Sequence, residues 1–268
     1  MKWVRVEYAG APAFGVLEGD TVIVTSLAWS DVLAGRQPDS VARLPLAGAR
    51  RFAPVGRPGK IVAIGQNYWD HCREQNVPPP ERPIIFTKFT TAINHPDGVI
   101  SWSPVLTQQV DFEAELAVVI GTAARRVSEA DALNHVFGYT AANDVTARDL
   151  QFGDKQWVRG KSLDTFCPLG PALVTADEIP DPQRLALRSE LNGQVMQDSH
   201  TGEMIFGVAH LIAFCSQAFT LEPGDVILTG TPHGVGVFRD PPVFMQHGDT
   251  ITVEVEGIGR LTNTCVAG

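Results

Sequence analysis

Residues 110–120 read Val-Asp-Phe-Glu-Ala-Glu-Leu-Ala-Val-Val-Ile, a stretch in which acidic and apolar residues alternate and then give way to a continuous apolar run. Because successive side chains of a strand point to opposite faces, the alternation predicts a β-strand with Asp111, Glu113 and Glu115 on one face. The apolar run at 116–120 is typical of a strand that is buried on both faces. The segment therefore predicts a central strand whose acidic end adjoins a hydrophobic core.

Strand-like runs also dominate the chain on either side of this segment. They lie at residues 61–64, 83–86, 172–174, 185–191, 226–229 and 251–255. Asn192-Gly193 predicts a hairpin, because both central residues of a type I′ turn need positive φ. Helices are expected at residues 128–136, with Ser128 as N-cap, and at residues 207–219, where apolar residues share one face, with shorter helical pieces at residues 26–33 and 67–75. The pattern indicates a mainly β (α+β) fold.

A small β-rich unit is expected at the N-terminus. Residues 2–8 alternate in the strand manner, and a Glu18-Gly19-Asp20 turn separates two further strand-like runs. Four prolines between residues 35 and 59, with little periodicity around them, suit an extended connection. We therefore expect an N-terminal domain with its proline-rich linker over residues 1–57 and a larger domain over residues 58–268.

Composition argues against several classes of protein. The 268 residues carry a net charge of −9 without a Lys/Arg cluster, so no nucleic-acid partner is expected. The four cysteines never form a Cys-x-x-Cys pair, which argues against a disulfide framework or a zinc site and favours reduced thiols in the cytoplasm. The sequence has no run of ~18 apolar residues, so no membrane span is predicted. No apolar run follows the N-terminal residues, so no signal peptide is predicted.

The acidic face predicts a metal site. Carboxylates crowded beside a core repel each other and raise each other's pKa unless a cation compensates them. Oxygen ligands without nearby His or Cys pairs favour Mg²⁺, Mn²⁺ or Ca²⁺ over zinc or copper. A solvated strand face is the open alternative for the isolated pattern. Asp144, where polar residues end an apolar strand, is a plausible third ligand, although alone it fits a turn or cap equally well. Removal of one crowded carboxylate is expected to cost the metal-free protein little stability.

Five motifs, in the family's order, resemble the fumarylacetoacetate hydrolase family. They are Gly65-Gln66-Asn67-Tyr68-x-x-His71-x-x-Glu74, Asp111-Phe112-Glu113-Ala114-Glu115-Leu116, Asn143-Asp144-Val145-Thr146-Ala147-Arg148-Asp149, Arg159-Gly160-Lys161-Ser162-x-Asp164-Thr165-Phe166 and Thr229-Gly230-Thr231-Pro232-x-Gly234-Val235-Gly236. The resemblance is greatest with the short two-domain members. It implies a mixed β-sandwich roll, usually homodimeric, that acts on a small 2-oxo acid. It also implies Mg²⁺ or Mn²⁺, with Ca²⁺ as a further occupant in crystals, on Glu113, Glu115 and Asp144.

The first motif predicts a proton-transfer pair. His71 and Glu74 stand three residues apart in a short helical stretch, so they share one face and the carboxylate can orient the imidazole. An exposed i,i+3 ion pair is the alternative, and the resemblance favours a general base with its orienting group. Pro78-Pro79-Pro80 would end the helix and leave it as a short lid over the substrate.

Four further residues are candidates for contact with substrate, and two of them, Arg148 and Gln151, match positions that touch substrate in the family. Lys161 resembles the family's active-site lysine and is expected to hold an anionic oxygen, or to move a proton if burial near the metal lowers its pKa. Arg148 is expected to clamp a carboxylate, with an ion pair to Asp149 or another acid as the alternative. The Gln151 amide would bond an oxo group. Thr231 and its glycine-rich segment would bind a carboxylate or form an ordinary turn.

The resemblance implies two reactions that share one metal site. The first is hydrolytic cleavage of a C–C bond in an acylpyruvate or other β-diketo acid, with water activated by His71 and Glu74 and a metal-bound enolate as the leaving group. The alternative is isomerisation, tautomerisation or decarboxylation of a compact 2-oxo acid such as oxaloacetate. A non-catalytic β-rich scaffold is a remote third reading. Gln66 departs from the family, where this position is often apolar, and its amide is expected to affect substrate choice.

Overall fold

The computed structural model describes residues 1–268 as nineteen strands and five α-helices. The strands are β1 (Lys2–Tyr8), β2 (Ala11–Glu18), β3 (Thr21–Val24), β4 (Ala42–Pro45), β5 (Arg51–Phe52), β6 (Ile61–Gly65), β7 (Ile84–Lys88), β8 (Ile93–Asn94), β9 (Val99–Trp102), β10 (Val110–Asp111), β11 (Ala114–Ile120), β12 (Val136–Asn143), β13 (Thr146–Ala147), β14 (Cys167–Thr175), β15 (Ala186–Leu191), β16 (Gln194–His200), β17 (Val226–Leu228), β18 (Thr250–Val255) and β19 (Gly259–Ala267). The helices are α1 (Trp29–Leu33), α2 (Trp69–Gln75), α3 (Arg148–Gly153), α4 (Val158–Lys161) and α5 (Val208–Ala218). The predominance of strands confirms the mainly β fold class.

Twelve strands form one mixed sheet. Its main path runs β4-β3-β2-β1-β14-β12-β11-β17-β6-β7, with β5 paired to β1 and β8 paired to β14. Most pairs are antiparallel, but β17 and β6 run parallel. Strand β11 is hydrogen-bonded on both sides, to β12 and to β17. All seven of its residues are buried, as its continuous apolar run predicts.

A second sheet covers one face of the first. It has five strands in the order β16-β15-β18-β19-β9. The largest core cluster contains 26 buried residues and draws on both sheets and on α5. Leu116 of β11, Val253 of β18 and Leu211 of α5 all belong to it. The two sheets and the helix therefore enclose one core, which is the mixed β-sandwich that the sequence motifs implied.

The N-terminal strands continue the large sheet. Strand β1 pairs with β14 through Trp3↔Leu173. Trp3 and Phe14 lie in a buried cluster together with Ile61 of β6. Residues 1–52 thus share a sheet and a core cluster with the rest of the chain, and a domain boundary near residue 57 stays a prediction.

Two of the local predictions are confirmed. Asn192 and Gly193 have φ values of 52° and 80°, and they connect β15 to β16 at the Leu191↔Gln194 pair. This is the hairpin that the dipeptide predicts. Helix α5 lies inside the predicted range of residues 207–219, with its apolar side chains in the core.

The helix expected at residues 128–136 is wrong. Residues 132–135 form only a short 3₁₀ turn, and β12 begins at Val136. The Ser128 hydroxyl donates to the Asp131 carboxylate at 2.6 Å and accepts from the Asp131 amide at 3.2 Å. These bonds close a local turn that competes with a helix, and pairing of β12 with β11 outweighs the helical pattern that follows.

The acidic segment is not one continuous strand. Strand β10 ends at Asp111 and pairs with β13, whereas β11 begins at Ala114 and pairs with β12. The break at residues 112–113 separates Asp111 from the carboxylates that follow it. Glu113 and Glu115 still come together. Asp111 lies outside this group of three carboxylates, but the guanidinium of Arg148 contacts both Asp111 and Glu113, so the shared face stays a prediction for Asp111.

Candidate active site and metal centre

Three buried carboxylates meet at the ends of the central strands. Glu113 lies in the break before β11, Glu115 follows on β11, and Asp144 comes directly after β12. The pairing of Ala114 with Asn143 brings these segments together. One oxygen of each carboxylate lies within 4.8 Å of the other two. The three side chains are therefore spaced as ligands of a single ion would be.

Three buried cationic side chains neutralise part of this negative charge. Lys161 Nζ, at the end of α4, lies 2.7 Å from Glu113 Oε2 and 2.8 Å from Asp144 Oδ2. Lys88 Nζ, at the end of β7, lies 2.5 Å from Asp144 Oδ1. Arg148 Nη1, on α3, lies 2.7 Å from Glu113 Oε1. Glu113 and Asp144 thus have a cationic partner at each oxygen.

Glu115 is the carboxylate without a cationic partner. The hydrogen-bond donor to its side chain is the amide of Gly230, 2.8 Å from Oε2. Burial raises the pKa of Glu115 well above its ordinary value of 4.5, and the charges of Asp144 and Glu113 raise it further. The pKa of Glu113 is lowered to about 2, because the attraction of Lys161 and Arg148 outweighs the opposing effect of burial.

The donor set fits a hard divalent cation. The site contains four buried carboxylates, Asp111, Glu113, Glu115 and Asp144. It contains three buried cationic groups, Lys88, Arg148 and Lys161. The negative charge left over is compensated when a cation binds. The ligand group consists of carboxylate oxygens, the ligands that Mg²⁺ and Mn²⁺ prefer, with no histidine or cysteine.

The three ligand carboxylates differ in what their removal would cost. Asp144 contacts both Lys88 and Lys161, so its loss would leave two buried ammonium groups short of an anion, at a cost of about 3–5 kcal/mol. Glu115 has no such partner. The small cost expected from crowding therefore applies to Glu115 and is wrong for Asp144.

His71 and Glu74 form the pair that their spacing predicts. Both lie on α2, with His71 Nδ1 2.9 Å from Glu74 Oε2. Glu74 Oε1 accepts a hydrogen bond from the amide of Gly234 at 2.8 Å, so both carboxylate oxygens are fixed. The ring of Phe238 packs edge-on against the buried His71 ring, with centroids 5.8 Å apart. Nε2 of His71 is therefore the nitrogen left to exchange a proton.

The glycine-rich loop, residues 229–237, binds carboxylates of the protein itself. Three of its amides donate hydrogen bonds of 2.8 Å, from Gly230 to Glu115, from Gly234 to Glu74 and from Gly236 to Asp111. Gly230 has φ of 97°, and a Cβ there would lie 2.9 Å from Asn67 Cβ, so only glycine fits. These three amides are already used by protein carboxylates, so binding of a substrate carboxylate by other amides of the loop stays a prediction.

Thr231 is similarly engaged with protein groups. Its hydroxyl donates to the Ala114 carbonyl at 2.9 Å and accepts from Gln197 Nε2 at 2.8 Å. The side chain lines the cavity described below. Contact of Thr231 with substrate stays a prediction, but its hydroxyl proton is already used in the hydrogen bond to Ala114 of β11.

Arg148 is held by protein groups on most of its guanidinium. Nε donates to Asp111 Oδ2 at 2.8 Å, and Nη1 donates to Gln151 Oε1 at 3.0 Å. The ion pair with Asp149 is not formed, since Asp149 instead accepts a hydrogen bond from the Thr107 hydroxyl, but the alternative of an ion pair with another acid is confirmed at Asp111 and Glu113. Only the buried Nη2 has no partner. Arg148 therefore offers a substrate one nitrogen and not the bidentate clamp expected from the sequence.

Lys161 reaches the carboxylates because α4 packs closely on α3. A Cβ at Gly160 would lie 2.8 Å from both the Ala147 carbonyl oxygen and the Gln151 amide nitrogen. Burial lowers the pKa of Lys161, but the charges of Asp144 and Glu113 outweigh burial and raise it. The two carboxylates therefore favour the ammonium form in the metal-free protein, and a lowered pKa of Lys161 beside a bound metal stays a prediction.

We expect Gly160→Ala to lower the free energy of unfolding by about 1–3 kcal/mol, the usual cost of forcing an extra methyl group into a packed contact. Gly153→Ala is the matched control, because a Cβ at Gly153 meets nothing within 4 Å. Urea denaturation of both variants measures the difference. Equal stability of the two variants would contradict the close packing of α4 on α3.

Lys88 is a site residue that the motifs did not indicate. Its side chain is fully buried, and Nζ contacts the Val145 carbonyl at 3.1 Å as well as Asp144. It ends the apolar strand β7. The other residues of this edge strand are half-buried or exposed, so no local pattern marked Lys88 for burial beside the acidic cluster.

One cavity of about 210 Å³ connects the proton-transfer pair to the acidic cluster. Six of the nine residues predicted from sequence line it, namely His71, Glu113, Arg148, Gln151, Lys161 and Thr231. Half of the remaining lining residues are aromatic, namely Phe86, Phe152, Trp157 and Phe238. Larger surface clefts of about 740 and 950 Å³ contain none of the nine. The small cavity suits a compact metabolite better than a drug-sized ligand.

Comparisons with known proteins agree with this geometry. A family model described as fumarylacetoacetate (FAA) hydrolase C-terminal matches residues 60–266. The chain belongs to the fumarylacetoacetate hydrolase family. A second model, Rv2993c-like, N-terminal, matches residues 1–54. Among family members, the chain is 54% identical over 226 residues to a Bos taurus protein named oxaloacetate tautomerase FAHD2A, mitochondrial, with 83% of this chain and 71% of that protein covered.

Solved structures of the fumarylacetoacetate hydrolase family share the whole fold. A fumarylacetoacetate hydrolase from Exiguobacterium antarcticum superposes with a TM-score of 0.91 at 40% identity, and all of both chains is covered. A 5-carboxymethyl-2-hydroxymuconate delta-isomerase from Mycobacterium smegmatis superposes with a TM-score of 0.86, also at 40% identity and full coverage of both chains. The chain is thus an enzyme-family member whose relatives carry hydrolase, isomerase and tautomerase names.

Location and assembly were also predicted from the sequence. All four cysteines are free and buried. None of the helices has the length and apolar character needed to cross a membrane. The Bos taurus member of the fumarylacetoacetate hydrolase family is named as mitochondrial, which gives no support to the expected cytoplasmic location. That location and the homodimer stay predictions.

Proposed function

We propose that the protein is a keto–enol tautomerase of oxaloacetate or of a closely similar short 2-oxo dicarboxylate. The observation that carries the proposal is that His71 and Glu113 line the same small cavity. A base with its own orienting carboxylate therefore faces the position where a chelated 2-oxo acid would lie. The 54% identical relative named oxaloacetate tautomerase supports the same reaction.

The reaction requires transfer of a proton between C3 and the 2-oxygen. A divalent ion held by Glu113, Glu115 and Asp144 would act as a Lewis acid on the 2-oxo group. His71 Nε2 takes the proton from C3, and the carboxylate of Glu74 stabilises the imidazolium that forms. Lys161, which lines the cavity as an ammonium group, gives a proton to the 2-oxygen. Proton exchange of both side chains with solvent restores the starting state.

The cavity favours this reaction over the C–C hydrolysis that the sequence suggested first. Tautomerisation needs no attacking water and no room for an acyl tail. The cavity has a volume of only about 210 Å³, which suits a compact substrate. Hydrolysis of an acylpyruvate is the second candidate, which the similarity to the Exiguobacterium antarcticum hydrolase favours.

The proposal is tested by the conversion of the enol form of oxaloacetate to the keto form, followed by ultraviolet absorbance. We expect the protein with Mg²⁺ or Mn²⁺ to accelerate the conversion above its rate in buffer, and we expect EDTA to remove the acceleration. Acetylpyruvate is assayed in parallel. Cleavage of acetylpyruvate without acceleration of the oxaloacetate conversion would replace the tautomerase proposal by the hydrolase.

A further inference from the structure

Gln66 occupies a strained position in the wall of the cavity. It follows Gly65 at the end of β6 and has φ of 52°, a left-handed conformation that non-glycine residues rarely adopt. Such residues cost free energy and persist mainly where the surrounding structure and function require them. The Gln66 carbonyl accepts a hydrogen bond from the Cys72 thiol, and its side chain lines the cavity. The strain therefore places a carboxamide at the substrate.

Gln75, the last residue of α2, brings a second carboxamide into the same wall. Gln66 Nε2 makes one long hydrogen bond, of 3.5 Å, to Gln75 Oε1. Nε2 of Gln75 makes no hydrogen bond within the protein. The pair therefore keeps three N–H groups free for a ligand, one on Gln66 and two on Gln75.

The cationic groups of the cavity have few N–H groups free for a ligand. Lys161 is bonded to two carboxylates, and Arg148 has one free nitrogen. The first carboxylate and the oxo group of a 2-oxo acid would occupy the open positions of the ion, so a second carboxylate needs its own donors. Carboxamides can donate to a carboxylate without adding a further buried charge that must be compensated.

We propose that Gln66 and Gln75 form the subsite for the second carboxylate of a short 2-oxo dicarboxylate. The proposal rests on the proposed function, because it takes the 2-oxo acid end of the substrate to lie at Glu113, Glu115 and Asp144. It makes the two glutamines the specificity-determining residues of this enzyme. A substrate of the same skeleton without the second negative charge then gains less from them, because its carbonyl oxygen accepts only neutral hydrogen bonds.

Kinetics with a matched pair of substrates test the subsite. Oxaloacetate and its 4-methyl ester share one skeleton and differ in the charge of the second carboxylate. We expect Gln66→Met to lower kcat/KM for oxaloacetate by about 10- to 100-fold, through KM, which is the usual effect of losing hydrogen bonds to a charged group. The value for the ester should fall less, by at most about 10-fold, because its carbonyl oxygen loses only a neutral hydrogen bond. Gln156→Met, the same change at an exposed position outside this cavity, should alter neither. An equal loss for both substrates would overturn the proposal.

Binding measurements separate the subsite from the reaction. Calorimetry on the Mn²⁺-loaded protein compares malate with lactate, which lacks the second carboxylate, and with oxalate as a probe of the ion alone. We expect malate to bind at least about 10-fold more tightly than lactate, and Gln66→Met and Gln75→Met to reduce that preference while oxalate affinity is unchanged. A preference that survives in both variants overturns the subsite, whatever the activity. A preference lost in the variants supports the subsite even if the wild-type protein fails to tautomerise oxaloacetate.

Discussion

His71→Ala is expected to lower turnover of oxaloacetate by about 10²- to 10⁴-fold, the usual contribution of a positioned general base. The variant should keep Mn²⁺ and should still bind oxalate, because the ion would be held by Glu113, Glu115 and Asp144 and not by His71. Glu74→Gln should give a smaller loss of the same kind, since the imidazole remains but is less firmly oriented. Steady-state kinetics and calorimetry on the same preparations measure both effects.

His210→Ala is the matched control for this experiment. His210 lies 3.0 Å from the carboxylate of Glu129, so the change also breaks a histidine–glutamate pair, but on the exposed surface of α5. It should leave turnover unchanged. Wild-type turnover in His71→Ala, or a defect confined to lost Mn²⁺, would show that His71 is not the base.

The second large effect concerns Glu115 and Asp144, which should differ in stability although both changes remove a ligand. Glu115→Gln and Asp144→Asn should each weaken Mn²⁺ binding by more than the ~10- to 100-fold typical of an outer partner of a metal ligand. In the metal-free protein, Asp144→Asn should cost about 3–5 kcal/mol, because Lys88 and Lys161 lose their shared anion. Glu115→Gln should cost little or should stabilise, because it removes a buried carboxylate that has no cation.

The stability of the metal-free protein should also depend on pH, in a direction set by Glu115. The pKa of Glu115 is raised in the folded protein, so the folded state holds its proton more tightly than the unfolded state does. The metal-free wild-type protein should therefore lose stability as the pH rises above the ordinary value of 4.5. Glu115→Gln should remove that part of the loss. Urea denaturation of both proteins in EDTA between pH 5 and pH 8 measures it, and parallel curves would count against an uncompensated Glu115.

Sequence patterns predicted those features of the fold and site that depend on local order. The apolar run of β11, the Asn192-Gly193 turn and the spacing of His71 and Glu74 each express a short-range rule, and the structure has all three. The same rules failed at residues 128–136, where a strand partner distant in sequence decides the conformation. A pattern within one segment contains no information about the segment that will pair with it.

The missed parts of the site are contacts between distant segments. Lys88 lies 56 residues before Asp144, and Asp111 is bonded by an amide 125 residues later. Each residue type was visible in the sequence, but the partner that gives it a role was not. The hydrogen bond from Arg148 to Asp111 likewise joins two distant segments. Asp111 precedes the break before β11, and the alternating pattern of residues 110–116 gives no sign of that break.

The hydrogen bond from the Gly234 amide to Glu74 makes the orientation of His71 depend on the position of α2. Outward movement of α2 must break this bond, and the carboxylate that orients His71 then loses one of its two anchors. The base is correctly aligned only while the helix rests on the loop that also holds Glu115. We expect a lid movement of α2, as the sequence predicts, to misalign the base while the entrance is open.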